Sequence, residues 1–352
     1  MKDTGGGSGF SFYAGASTAL MWIWIVIVVV VLLSLWLIGI FSGILRVNGW
    51  TQSYVAVAPS PGGTEIVFTG AGRGSTDLYR MDLRDRGVRR VTQTSLLEEK
   101  PAYCPDGRSI LFSAIGRPGD GIHIYRCNLD GKGVSQITTG RWGDKDACLS
   151  PDGTRITFRR AHRFAIVGHA IFPHWHFWDI YVGNADGTGI RRLTEQNYYQ
   201  VSAPRFSADG RSIIFSAYAS GETFIYSIDA AGGRPPDALA KGWMPCPSPD
   251  GKWIAFISDR QIPYEYEIWL MRPDGSGLRQ LTRTGLYKQF SVFMPDSQHV
   301  LFLSIPTRKF EHAYDLWSAS LDGREPRLVA DHTLFDHPMR WRRGGARSLD
   351  RR

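Results

Sequence analysis

Cysteine is scarce in this chain, with four residues among 352. Cys104, Cys148 and Cys246 stand beside the same short phrase in different copies of a repeat, and Cys127 lies in a predicted strand. A disulfide needs Cα atoms within about 7 Å of each other, which equivalent positions on neighbouring repeats do not offer. The sequence therefore predicts buried thiols, and neither a disulfide framework nor a zinc site.

The chain also has no Gly-x-Ser-x-Gly motif. A serine peptidase of the α/β-hydrolase type needs that motif to present its nucleophilic serine on a sharp turn between a strand and a helix, so this class is excluded. The formal net charge is +8, but the basic residues are spread through turns and outer strands. Nucleic-acid binding is therefore not expected.

Charged residues are missing between Ala19 and Leu45, a run of 27 residues. At about 1.5 Å per residue, a helix of this length exceeds a hydrocarbon core of about 30 Å. A cleaved signal peptide is the alternative, but its apolar part has about 7–15 residues and is followed by an Ala-x-Ala-like site. No such site follows here, and the run predicts a single transmembrane helix.

Two glycines in this run, Gly39 and Gly43, form a small-xxx-small pair that would let another helix approach closely. The run itself is the predicted contact with the lipid bilayer. Lys2 and Arg46 flank it on opposite sides, so positive charge does not decide which side of the membrane the rest of the chain occupies.

The remainder of the chain is a repeat whose fullest copy is Ser150-Pro151-Asp152-Gly153. Its second position recurs at residues 61, 105, 151, 208, 249 and 295. Proline sets φ for a turn, and Asp-Gly supplies the positive φ of a tight hairpin. Four of the five spacings lie between 41 and 46 residues, and the fifth is 57. A period in the forties, made of short strands, is typical of propeller blades.

Each copy continues with the same series of short elements. An Ile-x-Phe-like strand is followed by an Ile-Tyr-like strand, a second Asp-Gly turn and a strand that often ends in threonine. With the strand before each turn, this gives four strands per copy, which is one blade. The predicted fold is all-β, a six-bladed β-propeller of four-stranded blades preceded by a single transmembrane α-helix.

These motifs resemble the TolB-like propellers, a family of WD-type repeats written S-P-D-G, I-x-F, I-Y, D-G and L-T. The resemblance covers about residues 52–341. Such repeats occur in periplasmic interaction proteins, in the propeller halves of serine peptidases and in some polysaccharide lyases. The resemblance thus implies the fold more specifically than the function, and it favours a periplasmic propeller on a protein that crosses the inner, cytoplasmic membrane once.

The sequence divides into five segments. The predicted order is a flexible Gly/Ser-rich tail (1–18), the transmembrane helix (19–45), a linker (46–51), the propeller (52–341) and a basic tail (342–352). The basic tail is either solvated or in contact with anionic lipid or an acidic partner.

One insertion stands out between Phe158 and Asp179, because it is long and rich in histidine and aromatic residues. We predict a contact surface for a partner protein or the membrane interface. Metal binding by His174, His176 and a third ligand such as His169 or Asp179 is an alternative, as is a loop folded on its own blade. The contact candidates are His162, Phe164, His169, Phe172, His174, Trp175, His176, Phe177 and Trp178.

Side chains at the start of each innermost strand are predicted to gather around one mouth of the central channel. They could do acid–base work or hold a cation. The plainer interpretation is a solvated rim whose charges pair with each other. The channel-mouth candidates are Glu99, Lys145, Asp146, Tyr199, Gln200, Trp243, Lys288, Asp336 and His337.

The function that these patterns favour is that of a non-enzymatic, membrane-anchored propeller. It would act as an interaction scaffold or accessory subunit that binds other membrane protein subunits and stabilises a larger envelope, respiratory or photosynthetic complex. We expect no catalytic residue, metal or cofactor. The alternative is a lyase or hydrolase that acts on envelope glycans with a cation at the channel mouth.

Overall fold

The structure is a computed structural model. It describes residues 55–71, 76–115, 121–140, 143–161, 164–167, 170–173, 178–196, 198, 200–305 and 314–336. No helix within these ranges is long and apolar enough to cross a bilayer. The predicted span 19–45, with Gly39 and Gly43, lies outside them, as do both predicted tails.

The described residues form twenty-six strands and one short helix, α1 (Thr333–Asp336). The first half of the strands are β1 (Val57–Pro59), β2 (Glu65–Ala71), β3 (Thr76–Asp82), β4 (Val88–Arg90), β5 (Leu97–Tyr103), β6 (Ser109–Ile115), β7 (Ile122–Asn128), β8 (Ser135–Gln136), β9 (Gly143–Leu149), β10 (Arg155–Ala161), β11 (Phe164–Val167), β12 (Ala170–Pro173) and β13 (Trp178–Asn184). The second half are β14 (Arg191–Arg192), β15 (Val201–Phe206), β16 (Ser212–Ala219), β17 (Glu222–Asp229), β18 (Asp237–Lys241), β19 (Trp243–Pro247), β20 (Ile254–Ser258), β21 (Glu267–Met271), β22 (Arg279–Gln280), β23 (Tyr287–Phe293), β24 (His299–Ile305), β25 (Asp315–Ser320) and β26 (Arg327–Ala330).

The strands pair as antiparallel groups of four. The sheets β9-β10-β13-β14, β15 to β18, β19 to β22 and β23 to β26 are separate. The strands β1 to β4 and β5 to β8 also form two antiparallel groups, and one parallel pair between Thr76 and Leu97 joins them into an eight-stranded sheet. The predicted all-β, propeller-like architecture of four-stranded sheets is confirmed.

The repeated Pro-Asp-Gly phrase forms the predicted hairpin turn. Between β9 and β10, the Gly153 amide donates to the carbonyl oxygen of Ser150 at 2.8 Å, and Gly153 has a φ of 72°. The Asp152 carboxylate accepts the Ser150 hydroxyl at 2.5 Å and the Thr154 amide at 3.0 Å. These hydrogen bonds are all local to the turn, so they stabilise it without distant contacts.

Threonine at the end of an outer strand holds that strand to its neighbour. Its hydroxyl oxygen accepts a hydrogen bond from a backbone amide near the start of the third strand of the same group. The donors and acceptors are Leu78 and Thr92 at 2.9 Å, Ile124 and Thr138 at 3.1 Å, Ile180 and Thr194 at 3.0 Å, and Ile268 and Thr282 at 3.0 Å. Satisfying these buried donors explains why threonine recurs in the sequence.

The core lies between the sheets. In the described residues, each hydrophobic cluster joins one group of four strands to the next. A further cluster joins the last group to the first, with Phe68 and Leu301 in its interior. Cys104, Cys127 and Cys246 are buried in these layers and Cys148 is partly buried, all as free thiols. The prediction of buried, unbridged cysteines is therefore confirmed for three of them.

One local expectation was wrong. Asp336 was expected at the start of an innermost strand, but residues 333–336 form α1, and the Asp331 carboxylate accepts the Thr333 amide at 3.2 Å and caps this helical turn. Phe335 still packs edge-on against Phe68, with ring centroids 5.5 Å apart. The insertion is not only a loop, since β11 and β12 pair within it as an antiparallel hairpin.

Candidate functional site

The innermost strands β1, β5, β9, β15, β19 and β23 surround a cavity of about 530 Å³. One end of the cavity is formed by the repeated turns, and we call this end the turn rim. The opposite end, where the innermost strands begin, is called the N-terminal rim. The residues from the turns that line the cavity are Pro61, Pro105, Pro151, Ala208, Pro249 and Pro295.

Five of the innermost strands, β5, β9, β15, β19 and β23, contain a short bulge that breaks their pairing register. In the first four of these strands a non-glycine residue with positive φ stands at the bulge, and the four φ values lie between 51° and 58°. A bulge of this kind re-aims a side chain that would otherwise alternate across the sheet. The four residues line the cavity: Lys100, Asp146, Ala203 and Met244.

Charged groups cluster on one side of this cavity. The Asp146 carboxylate lies 2.6 Å from Nε of Arg159, and the Glu99 carboxylate lies 2.5 Å from Nζ of Lys145. The ammonium group of Lys100 lies 5.8 Å from the ring centroid of Phe290. Together with Arg205, the cluster holds four cations and two carboxylates, so the cavity wall has an excess of positive charge.

The positive charges act strongly on Asp146. Burial alone would raise the pKa of this carboxyl, but Arg159, Lys100, Arg205 and Lys145 outweigh it and lower the pKa to about 2. Burial lowers the pKa of Lys100, an effect that Asp146 opposes. The cluster is therefore mutually dependent, because loss of the carboxylate would leave several cations facing each other in a poorly solvated site.

We expect Asp146→Asn to destabilise the protein by on the order of 2 kcal/mol at pH 7, the free-energy equivalent of the lowered pKa. The pKa is lower in the folded state, so this stabilisation is present above about pH 4 and is lost as the pH falls through about 2. Urea unfolding of the purified protein at several pH values measures the difference.

The control is Glu222→Gln, which removes a carboxylate from an exposed pair with Lys241 and should change stability by less than about 1 kcal/mol. A destabilisation by Asp146→Asn that does not shrink between pH 5 and pH 2 would contradict the electrostatic explanation.

The structure brings together only some of the channel-mouth candidates. Glu99, Lys145 and Asp146 lie close to one another, and Asp146 lines the cavity. Gln200 is exposed beside β15. Trp243 is partly exposed, and its ring packs against Tyr266 with centroids 4.6 Å apart.

Lys288 and Asp336 correct the expectation. Lys288 is wholly buried rather than at a mouth, because its ammonium pairs with Glu267 at 2.7 Å and donates to the Thr284 hydroxyl at 2.6 Å. Asp336 lies in α1 and not at the start of a strand. Tyr199 and His337 lie outside the described residues.

The insertion candidates are mostly beyond the described part of the chain. His162, His169, His174, Trp175, His176 and Phe177 lie outside it. Phe164 is in β11 and Phe172 in β12. Trp178 corrects the expectation of a contact surface, since it is 2% exposed. It begins β13, and the guanidinium of Arg159 lies 4.3 Å from its ring centroid.

Two charged residues that line the cavity, Lys100 and Arg205, were not among the candidate residues. The available signal was proline at the position after the bulge, as in Lys100-Pro101 and Ala203-Pro204. Proline cannot donate to the sheet ladder and marks an irregular edge. Among the described residues, no group of three or more His, Cys, Asp or Glu side chains is placed to hold a metal ion.

Comparisons with known proteins agree with this architecture. An uncharacterised protein of Agrobacterium fabrum is 28% identical over 266 residues, which cover 70% of this chain and 78% of that protein. The Tol-Pal system protein TolB of Anaeromyxobacter dehalogenans is 32% identical over 108 residues, 30% of this chain and 24% of that protein.

A solved structure of a TolB-like protein from Agrobacterium tumefaciens superimposes with a TM-score of 0.59 at 26% identity, covering 71% of this chain and 87% of the other. The family model of the TolB beta propeller domain matches residues 39–171 and 176–339. These two ranges include every innermost strand and every repeated turn. The chain therefore belongs to the TolB beta-propeller family.

Proposed function

We propose that this protein is a non-enzymatic interaction module, a six-bladed propeller anchored in the inner membrane, that binds a subunit of a membrane protein complex in the periplasm. The observation that carries the proposal is the central cavity, whose proline-lined end is apolar and whose wall has excess positive charge. Such a site suits a protein segment with an acidic group, which the cations of the wall would attract.

Six blades are supported by the packing of the sheets. The hydrophobic clusters of the described residues connect consecutive groups of four strands, and one more connects β24 and β25 to β1 and β2. A ring that closes in this way leaves no sheet face without a partner.

The anchor is supported by the uncharged run 19–45, and lipid contact belongs to that run. The partner class is supported by the relatives, since the TolB proteins are named for the Tol-Pal system. Absence of catalysis is supported by the charge cluster, because each of its two carboxylates is paired with a cation of the same cluster.

Substituting a residue at the turn rim tests partner binding. Ala208 lines the cavity where the other copies of the turn have proline. We expect Ala208→Trp to obstruct the opening and to abolish co-purification of a protein partner after gentle detergent extraction, while the melting temperature changes little.

The matched control is Lys252→Trp, at an exposed turn position of the fifth group of strands, which should leave co-purification unchanged. If the partner is retained by both variants, the cavity is not the binding site. If the wild-type protein itself carries no partner, the proposal of an interaction module fails.

A further inference from the structure

Exposed apolar side chains are concentrated at the N-terminal rim. Among the described residues, seven large hydrophobic side chains are at least 36% exposed. Val134 and Leu278 follow β7 and β21 and lie at the turn rim. The other five lie at the ends of strands that meet the N-terminal rim: Leu97, Tyr218, Ile262, Tyr264 and Tyr287.

Three of these five combine with two partly exposed aromatic side chains on the last two groups of strands. The Trp243 and Tyr266 rings pack edge-on at 4.6 Å, and the Tyr266 and Tyr287 rings at 4.9 Å. Ile262 and Tyr264 stand beside them in the segment between β20 and β21, and are 49% and 82% exposed. We call these five residues the aromatic patch: Trp243, Ile262, Tyr264, Tyr266 and Tyr287.

The backbone holds Tyr264 outwards at a conformational cost. The amide of Glu265 donates to the Ile262 carbonyl at 3.1 Å, which closes a turn in which Tyr264 has a φ of 66°. Glycine is the favoured residue at such a position, and a bulky side chain there is unfavourable. The Asp259 carboxylate accepts the Tyr264 amide at 3.2 Å and fixes the turn. Strained residues of this kind are often found at functional sites.

The chain enters the propeller at this same rim. β1 is an innermost strand that begins at Val57 and runs in the same sense as β19 and β23, so residue 55 lies at the N-terminal rim. The uncharged run ends at Leu45. Ten residues reach at most about 35 Å when fully extended. If the run is held in a bilayer, residue 55 at the N-terminal rim therefore lies within about 35 Å of the end of the run.

We propose that the aromatic patch docks onto the headgroup region of the bilayer that holds the anchor. Tyrosine and tryptophan favour the membrane–water interface, where an apolar ring and a polar tip are both satisfied. The proposal rests on the membrane anchor of the proposed function. It turns the N-terminal rim towards the lipid, and it leaves the proline-lined opening of the cavity facing away, towards a protein partner.

A fluorescent label at position 264 tests this docking. The full-length protein, with Cys148→Ser to remove the partly buried thiol, would carry Tyr264→Cys labelled with an environment-sensitive dye and be placed in nanodiscs of phosphatidylcholine. A nitroxide attached near the headgroup of the lipid serves as quencher. The control carries the same dye on Leu278→Cys. Leu278 is an exposed apolar residue at the turn rim, and it follows β21, the strand that Tyr264 precedes.

We expect the label at position 264 to lose most of its fluorescence when the quencher lipid is present, and the label at 278 to lose almost none. Equal, weak quenching at both positions in protein that has entered the nanodiscs would overturn the docking while leaving the anchor intact. Protein that does not enter nanodiscs would overturn the anchor, and the docking with it. A fluorescence change at 264 that depends on protein concentration and not on the quencher lipid would assign the patch to a second copy and also overturn the docking.

Discussion

Replacing Lys288 by methionine is expected to lower the free energy of unfolding by about 3–5 kcal/mol. The Lys288 side chain is 0% exposed, and its ammonium pairs with the Glu267 carboxylate at 2.7 Å. It also donates to the carbonyl oxygen of Leu286 at 2.9 Å. Removing the cation would leave a buried carboxylate without its counter-charge, which costs more than the pair itself contributes. Chemical unfolding of the wild type and the variant measures the difference.

The matched control is Lys252→Met, because Lys252 pairs with Asp250 at 3.3 Å while 67% of its side chain is exposed. Exposed pairs contribute at most about 1 kcal/mol. If both variants lose the same small amount of stability, then Lys288 is not buried between the last two groups of strands, and the packing described for them is wrong.

Gly187→Ala is the second substitution with a large expected effect. Gly187 lies in an Asp-Gly turn of the third group of strands with a φ of 86°, and a Cβ there would stand 2.0 Å from the carbonyl oxygen of Ile137 in the second group. Alanine would have to adopt the left-handed conformation that glycine occupies here, which costs about 1–2 kcal/mol, and overpacking adds about 1–3 kcal/mol. We expect a loss of about 2–5 kcal/mol in unfolding experiments.

Gly153→Ala separates these two contributions. Gly153 has a similar φ of 72°, but no heavy atom lies within 4 Å of its added Cβ. Alanine at position 153 should therefore cost only the conformational part, about 1–2 kcal/mol. Equal losses for the two variants would show that the turn at Gly187 does not press against the neighbouring group of strands.

The turns and the strand order could be predicted from the sequence because their chemistry is local. Ser150, Asp152 and Gly153 make the hydrogen bonds of their turn within five residues. The recurrent threonines likewise bond to a strand of the same group, fourteen residues away. Such signals recur in most copies, so one copy supports the interpretation of the others.

The placement of charged side chains could not be predicted in the same way. The sequence has Glu99, Lys145 and Lys288 at similar distances from the repeated turn, yet Lys288 is buried between two groups of strands. The bulges in the innermost strands shift the alternation of side chains, so that Lys100 and Asp146 line the cavity. Register breaks depend on packing between strands, which a single sequence does not specify.

The placement of the aromatic side chains in the insertion could not be predicted from the sequence either. Trp178 belongs to an aromatic run that suggested a contact surface, but the backbone direction of β13 places it opposite Ala161 and inside the core. By contrast, the aromatic patch has no unusual composition in sequence. Its five residues come from three separate segments, which only the fold brings to one rim.

The mass of the complex extracted from native membranes with a mild detergent tests the central claim most directly. Antibody-free purification through a small C-terminal tag, followed by native mass measurement, would give the composition of the particle. We expect this chain together with at least one other membrane protein, and we expect the partner to be lost with Ala208→Trp. A particle that contains this chain alone, under conditions that keep known membrane complexes intact, would contradict the proposed role as an interaction module.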